Sequence, residues 1–268
     1  MTANTFYFKD QNLIKFIQLP EKHNILTNIP NLIYKLHFHK DYGLYLEEFN
    51  DFSVPDKLYG NIYQRVNRIL TSYDNRPGNL GVLLYGQAGG GKSMLAKVIA
   101  NEFIKKNLPV IVINKENLDY LPGFIDKISQ SCVFLLDEFE KMFENTEDQS
   151  FLLPILDGLY QTKHVFLLTA NNSKKVNEYM NDRPGRILYS FNYDGLSEEV
   201  ILDYLKENLE VPKKSSKILE ILLQVKNLSF DIMQSFVKEN NIFKDIDPEE
   251  LTEGFNMSRD IGDLEKKI

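Results

Sequence analysis

The residues best suited to chemistry lie in GVLLYGQAGGGKSMLAKVIANEF, residues 81–103. Gly86, four further residues, then Gly91, Lys92 and Ser93 follow an apolar run and precede a helical pattern. Glycine-rich backbone can turn its N–H groups inward around phosphate oxygens. An ammonium at Lys92 reaches the same oxygens, and the Ser93 hydroxyl can hold Mg2+. A helix starting near Lys92 aims its positive dipole end at the anion. The spacing predicts a nucleotide cradle made of Gly86, Gln87, Ala88, Gly89, Gly90, Gly91, Lys92, Ser93 and Met94.

Three further stretches could complete such a site. CVFLLDEFEK (132–141) is an apolar strand ending in Asp137 and Glu138. Carboxylates there lie at the carboxyl edge of a parallel sheet, where open α/β folds bind ligands. Asp137 would hold Mg2+ through water. Glu138 would polarise the water that attacks the γ-phosphate, a role often worth about 10²–10⁴ in rate. HVFLLTANN (164–172) ends a second strand in Asn171 and Asn172. Either could hydrogen-bond the attacking water, although strand-end asparagines also serve simply as turn formers. NDRPGRI (181–187) presents Arg183 and Arg186 on a Pro-Gly turn, from which an arginine could reach a neighbouring subunit's nucleotide.

These residues need a frame. From Leu80 to about Phe191, short apolar strands alternate with helical stretches, which predicts a parallel sheet covered on both faces. VPDKLYGNIYQRVNRILTSY reads as a helix with Ile62, Val66, Ile69 and Leu70 on one face. Residues 1–55 form a small N-terminal region of mixed or β character, with two strands expected around Asp41-Tyr42-Gly43. After residue 194 the strand signals stop. Three amphipathic helices follow, the first two opening with cap signals at Ser197 and Ser215-Ser216, and a charged stretch ends the chain. The expected division is 1–55 adaptor-like, 56–194 nucleotide-binding, and 195–268 helical lid and tail.

Composition narrows the classes. The 268 residues carry a formal charge of −7, which argues against a general nucleic-acid grip. The single cysteine, Cys132, forms no internal disulfide and reads as a core residue; the four histidines lack zinc spacing. Neither a leader nor an apolar run of the ~20 residues that span a bilayer is evident, so the expectation is a cytoplasmic protein without membrane contact.

LLYGQAGGGKSMLAKVIA, FLLDEFEKMF, LLPILDGL, LLTANN and RPGRI stand in the order and spacing of the AAA+ ATPases. The chain resembles the AAA clade, the group of the membrane-bound AAA proteases and the mitochondrial complex III assembly ATPase, over residues 56–240. The resemblance implies a five-stranded parallel sheet, a helical lid, and ATP with Mg2+ at the subunit interfaces of a homo-oligomeric ring, usually a hexamer. It makes Gly86 to Ser93 the Walker A motif, Asp137 and Glu138 Walker B, and Arg183 and Arg186 arginine fingers. The first sensor is Asn171 by its T-x-N setting or Asn172 by the count to the arginines. Gln87-Ala88 replaces the usual double proline, and NLSFDIMQSF has no second-sensor arginine.

The implied activity is ATP hydrolysis that remodels protein partners, reached through the N-terminal region or through a channel loop at Tyr120-Leu121-Pro122-Gly123. An exposed aromatic–aliphatic pair there would grip an unfolded chain; the alternative is that both residues anchor the loop through Phe124 and Ile125. A nucleic-acid-linked ATPase, such as a helicase loader or clamp-loader-like factor, and a slow ATP-switched scaffold are the competing readings.

Overall fold

The computed structural model describes residues 6–10, 13–17, 25–41, 43–159, 162–193 and 195–259. Its strands are β1 (Phe6–Asp10), β2 (Leu13–Ile17), β3 (Ile25–Leu26), β4 (Ile33–His39), β5 (Gly43–Phe49), β6 (Leu80–Gly86), β7 (Val110–Val112), β8 (Val133–Leu136), β9 (Val165–Ala170) and β10 (Tyr189–Tyr193). The helices are α1 (Ile62–Asn75), α2 (Lys92–Lys105), α3 (Leu121–Ile125), α4 (Leu153–Leu156), α5 (Glu178–Asn181), α6 (Glu198–Asn208), α7 (Ser215–Leu223) and α8 (Phe230–Ile242). They fall into two compact units. One holds the described residues up to Val54 with Tyr63–Tyr85 and Ser93–Phe191; the other holds Pro55–Ile62, Gly86–Lys92 and the described residues from Asn192 on.

The first unit is built on an α/β sheet of order β10-β6-β9-β8-β7-β4-β5-β2-β1-β3. The five expected strands are its first five. The expectation of a sheet ending there is corrected: ten described strands take part. The physical reason is the edge of β7. Ile33, Tyr34 and Lys35 of β4 pair in parallel with Val110, Ile111 and Val112, so backbone groups that would face solvent are hydrogen-bonded instead. β4 then pairs antiparallel with β5, as the hairpin signal predicted, though Tyr42 at the turn lies outside the described residues.

Strand β8 is apolar throughout and β9 is apolar save for Thr169, because both faces are covered, and every residue of each is buried. Phe134 and Phe166 stack across this pair at 5.4 Å. Cys132 is buried in the same core, and burial pushes its thiol far above the ordinary range, so it acts there as an inert apolar group. In α1, Val66 and Ile69 turn inward as their spacing predicts.

In the second unit α6, α7 and α8 pack around Ile201, Leu205, Ile218, Leu222, Met233 and Phe236. Ser197 caps α6 by accepting the Val200 N–H. The expected serine cap of α7 is corrected: Ser215 is already helical, because a short 3-10 turn at Pro212–Lys214 leads into the helix. The cap signal belongs instead to Ser229, which accepts the Ile232 N–H and opens α8. The expected tail is ordered as far as Arg259: Phe255 packs on Phe236 at 5.3 Å, and Lys226 N–H donates to the Ser258 carbonyl. Residues 260–268 lie outside the described residues.

Candidate functional site

The glycine loop belongs to the second unit. Gly86 has φ +130°, and a Cβ there would lie 2.6 Å from the Tyr193 carbonyl carbon, so any other residue would be strained and would clash with backbone. Gly89 has φ +75°, and its carbonyl accepts the Phe230 N–H at 3.0 Å. A Cβ on Gly89 would meet Asp231 Oδ2 at 2.9 Å. The loop is thus fitted to the first turn of α8. Lys92 is buried, and its Nζ donates to the carbonyls of Gly86 at 2.8 Å and Gln87 at 2.5 Å. A buried ammonium resting on loop carbonyls is poised to exchange them for anionic oxygens. Ser229, Phe230 and Asp231 were missed as loop partners by sequence reasoning; the cap signal at Ser229 was the available clue.

Lys92 is followed directly by Ser93, whose hydroxyl donates to Asp137 Oδ1 at 3.0 Å in the first unit. Thr169 Oγ1 donates to the same oxygen at 2.6 Å and accepts the Glu138 N–H at 2.8 Å. This follows from register: β8 and β9 run parallel with Leu136 opposite Leu168, so the residues after Leu136 meet Thr169. Thr169 is only 1% exposed, and sequence reasoning passed over it because a threonine in a strand reads as ordinary β propensity. Glu138 itself adopts φ +52°, an uncommon conformation for a non-glycine residue. The Thr169 bond to its N–H helps hold it.

The Glu138 carboxylate accepts from Asn171 Nδ2 at 3.1 Å and from Lys141 Nζ at 2.5 Å. The bond to Glu138 raises the Lys141 ammonium above its usual range. Asn171 N–H donates to Glu140 Oε1 at 2.9 Å. Asn172 points elsewhere, with its Oδ1 accepting the Lys174 N–H at 3.0 Å as a local cap. Of the two candidate sensors, Asn171 is the one brought to Glu138.

The two arginines differ sharply. Arg186 is clamped: Nε and Nη2 donate to Asp157 Oδ1 and Oδ2 at 2.9 and 2.7 Å, and Nη1 donates to the Tyr179 carbonyl at 2.7 Å. Its side chain is 12% exposed. Hydrogen bonding to Asp157 raises its guanidinium still higher. Arg183 is 69% exposed and stands 3.9 Å from the same carboxylate.

Residues 82–192 match the family described as "ATPase family associated with various cellular activities (AAA)". That match takes in the glycine loop, Asp137, Glu138, Thr169 and Asn171, so this part of the chain is similar to AAA-family ATPase domains. It is 31% identical over 179 residues to the peroxisomal ATPase PEX6 of Dictyostelium discoideum, covering 60% of this chain and 14% of that protein. It is 26% identical over 188 residues to an "AAA ATPase forming ring-shaped complexes" of Corynebacterium jeikeium, covering 54% of this chain and 35% of that one. The chain therefore spans well under half the length of these relatives. Among solved structures, the Aeropyrum pernix ORC2 protein shares the fold with a TM-score of 0.51 and 16% identity, covering 79% of this chain and 69% of that one.

Of the two readings of the Tyr120-Leu121-Pro122-Gly123 loop, the anchored one fits the described residues. An exposed Tyr120–Leu121 pair is absent: Leu121 is wholly buried with Phe124 and Ile125, and Tyr120 stacks on Phe38 of β4 at 4.2 Å. The added strands supply the aromatic partner that turns this loop into an anchor. Among the described residues, no helix is long and apolar enough to cross a membrane.

Proposed function

We propose that this AAA-like domain binds ATP on the Gly86–Ser93 loop, hydrolyses it with Glu138 as base, and works as a ring that remodels protein partners. The observation carrying the chemistry is the convergence of Ser93, Asp137, Glu138, Thr169 and Asn171 through four hydrogen bonds of 2.6–3.1 Å. Lys92 and Ser93 are consecutive, so a phosphate held by one adjoins the other. The paired oxygens of Ser93 and Asp137 are hard donors of the kind Mg2+ takes, and these two residues would hold it. Bound Mg2+ would neutralise charge on the β- and γ-phosphate oxygens. To hold the ion, Ser93 would give up its hydrogen bond to Asp137, whose carboxylate keeps its bond from Thr169. Glu138 takes the proton of the attacking water, with Asn171 orienting its carboxylate, and must leave Lys141 to do so.

Assembly in trans is supported by Arg183, an exposed cation on the Pro184-Gly185 turn, and by the ring-forming relative. A protein rather than a nucleic-acid partner is supported by the charge of −7. The test is a pair of variants assayed for ATP binding and turnover. Lys92→Ala should lose binding, whereas Glu138→Gln should bind ATP and turn over about 10²-fold or more slowly. Parent-like hydrolysis by Glu138→Gln would remove Glu138 from the mechanism. Stimulation of the parent by single-stranded DNA but not by unfolded protein would promote the nucleic-acid reading.

A further inference from the structure

Beside the Ser93–Asp137 pair, the first unit holds a half-open cavity of about 200 Å³. Its floor crosses the join between the core strands and the added ones: Lys35, Val112 and Leu135 stand in one register row across β4, β7 and β8 and project to one face. Helix α2 covers this row with Ser93, Ala96 and Lys97, spaced as one helical face. Phe49 and Phe52 form the outer wall, and Asn101 Nδ2 fixes the Phe52 carbonyl at 3.1 Å.

The polar groups in this cavity are unbalanced. Lys35 Nζ lies 4.2 Å from the centre of the Phe49 ring, and Lys97 Nζ lies 5.9 Å from that of Phe52. Among the described residues, neither ammonium forms a salt bridge; their partners are aromatic faces. Asp137, the one acid lining the cavity, already spends Oδ1 on Ser93 and Thr169. Two lysines against one aspartate leave excess positive charge over an apolar floor, in a chain whose total is −7.

We propose that this cavity is a second ligand site, taking a small carboxylate with an aromatic or branched aliphatic body. Size supports a ring: an apolar cavity of about 150 Å³ accommodates benzene. Charge supports an acid whose carboxylate lies between the two ammonium groups. A phosphate fits less well, because no arginine lines this cavity and, of the glycine loop and its lysine and serine, only Ser93 reaches it. The bound acid would sit against Ser93 and Asp137 and could tune how readily they receive a metal ion. Occupancy of this cavity does not depend on ATP hydrolysis.

Saturation-transfer NMR on the full chain with phenylacetate tests it, with 2-phenylethanol as the neutral isostere. Phenylacetate should bind with Kd near or below about 1 mM, and the alcohol roughly tenfold more weakly. Lys35→Met and Lys97→Met, checked for unchanged melting, should each weaken phenylacetate roughly tenfold. Lys92→Ala should leave it unchanged, which separates this site from the phosphate loop. Equal binding of the alcohol, indifference to both Lys→Met changes, loss in Lys92→Ala, or no transfer at about 10 mM ligand would each overturn the proposal.

Discussion

Replacing Thr169 by valine removes one hydroxyl and keeps the shape of the side chain. That hydroxyl makes a charge-assisted bond to Asp137 and accepts the Glu138 N–H. Bonds to charged groups contribute about 1.5–3 kcal/mol, and a stranded N–H costs about 1–3 kcal/mol. Asp137 is solvent-exposed, so water recovers part of the first contribution. The net loss should be roughly 2–4 kcal/mol, a fall in melting temperature of roughly 5–12 °C for a chain of this size. Turnover should fall further than stability implies. Glu138 keeps its left-handed backbone with one support fewer, and a displacement of about 1 Å at a reacting group can cost about 10²-fold. ATP affinity should change by less than about threefold, because no atom of the glycine loop is touched. Thr169→Ser should restore most of both losses. Thermal unfolding by circular dichroism, equilibrium ATP binding and steady-state phosphate release measure the three quantities. A valine variant with parent melting temperature and parent turnover would refute the argument that this hydroxyl organises the carboxylates.

The two arginines should separate by assay. Arg186→Ala removes the Asp157 clamp and should lower the melting temperature by roughly 3–8 °C; Arg183→Ala should shift it by less than about 2 °C while abolishing any rise of specific ATPase activity with protein concentration. Equal effects of both on melting would contradict the clamp. His164 supplies a pH test. Burial against Phe134 and Phe166 lowers its imidazole to about 4, so the folded state keeps it neutral while an unfolded chain protonates it below about 6.5. Its stabilisation is therefore complete above pH ~6.5 and lost as pH falls through about 4, up to about 3 kcal/mol. Denaturant titrations at pH 7 and pH 4 should show a smaller acid loss in His164→Gln than in the parent, and identical losses would count against it. Gly86→Ala should weaken ATP binding at least about tenfold, since its Cβ would meet the Tyr193 backbone at 2.6 Å. Unchanged nucleotide affinity in that variant would show that the loop has room to relax.

Much of the site is legible in the chain because its chemistry is local. Gly86 to Ser93 is one continuous loop, and backbone rotation at glycine, an ammonium and a hydroxyl at fixed spacing already define an anion cradle. Asp137 and Glu138 could be placed at a strand end because a buried strand must stop where charges begin. The core strands β6 to β9 announced themselves by uninterrupted apolar runs, which only two covered faces explain. Other features depend on residues far apart in sequence. Thr169 became the support of Asp137 and Glu138 only when β9 was laid in register beside β8, 31 and 32 residues away. Asn171 and Asn172 are chemically identical, and the backbone direction at the end of β9 decided which one faces Glu138. Arg183 and Arg186 looked equivalent until Asp157, 29 residues before Arg186, closed on one of them. Tyr120 and Leu121 carried the composition of a gripping loop, yet pairing of β4 with β7 brought Phe38 over the tyrosine, while burial beside Phe124 and Ile125 took the leucine. The sequence by itself determined which groups could perform chemistry. Which of them are free to do so was decided by tertiary structure, because a side chain's availability depends on neighbours that only the folded sheet brings to it.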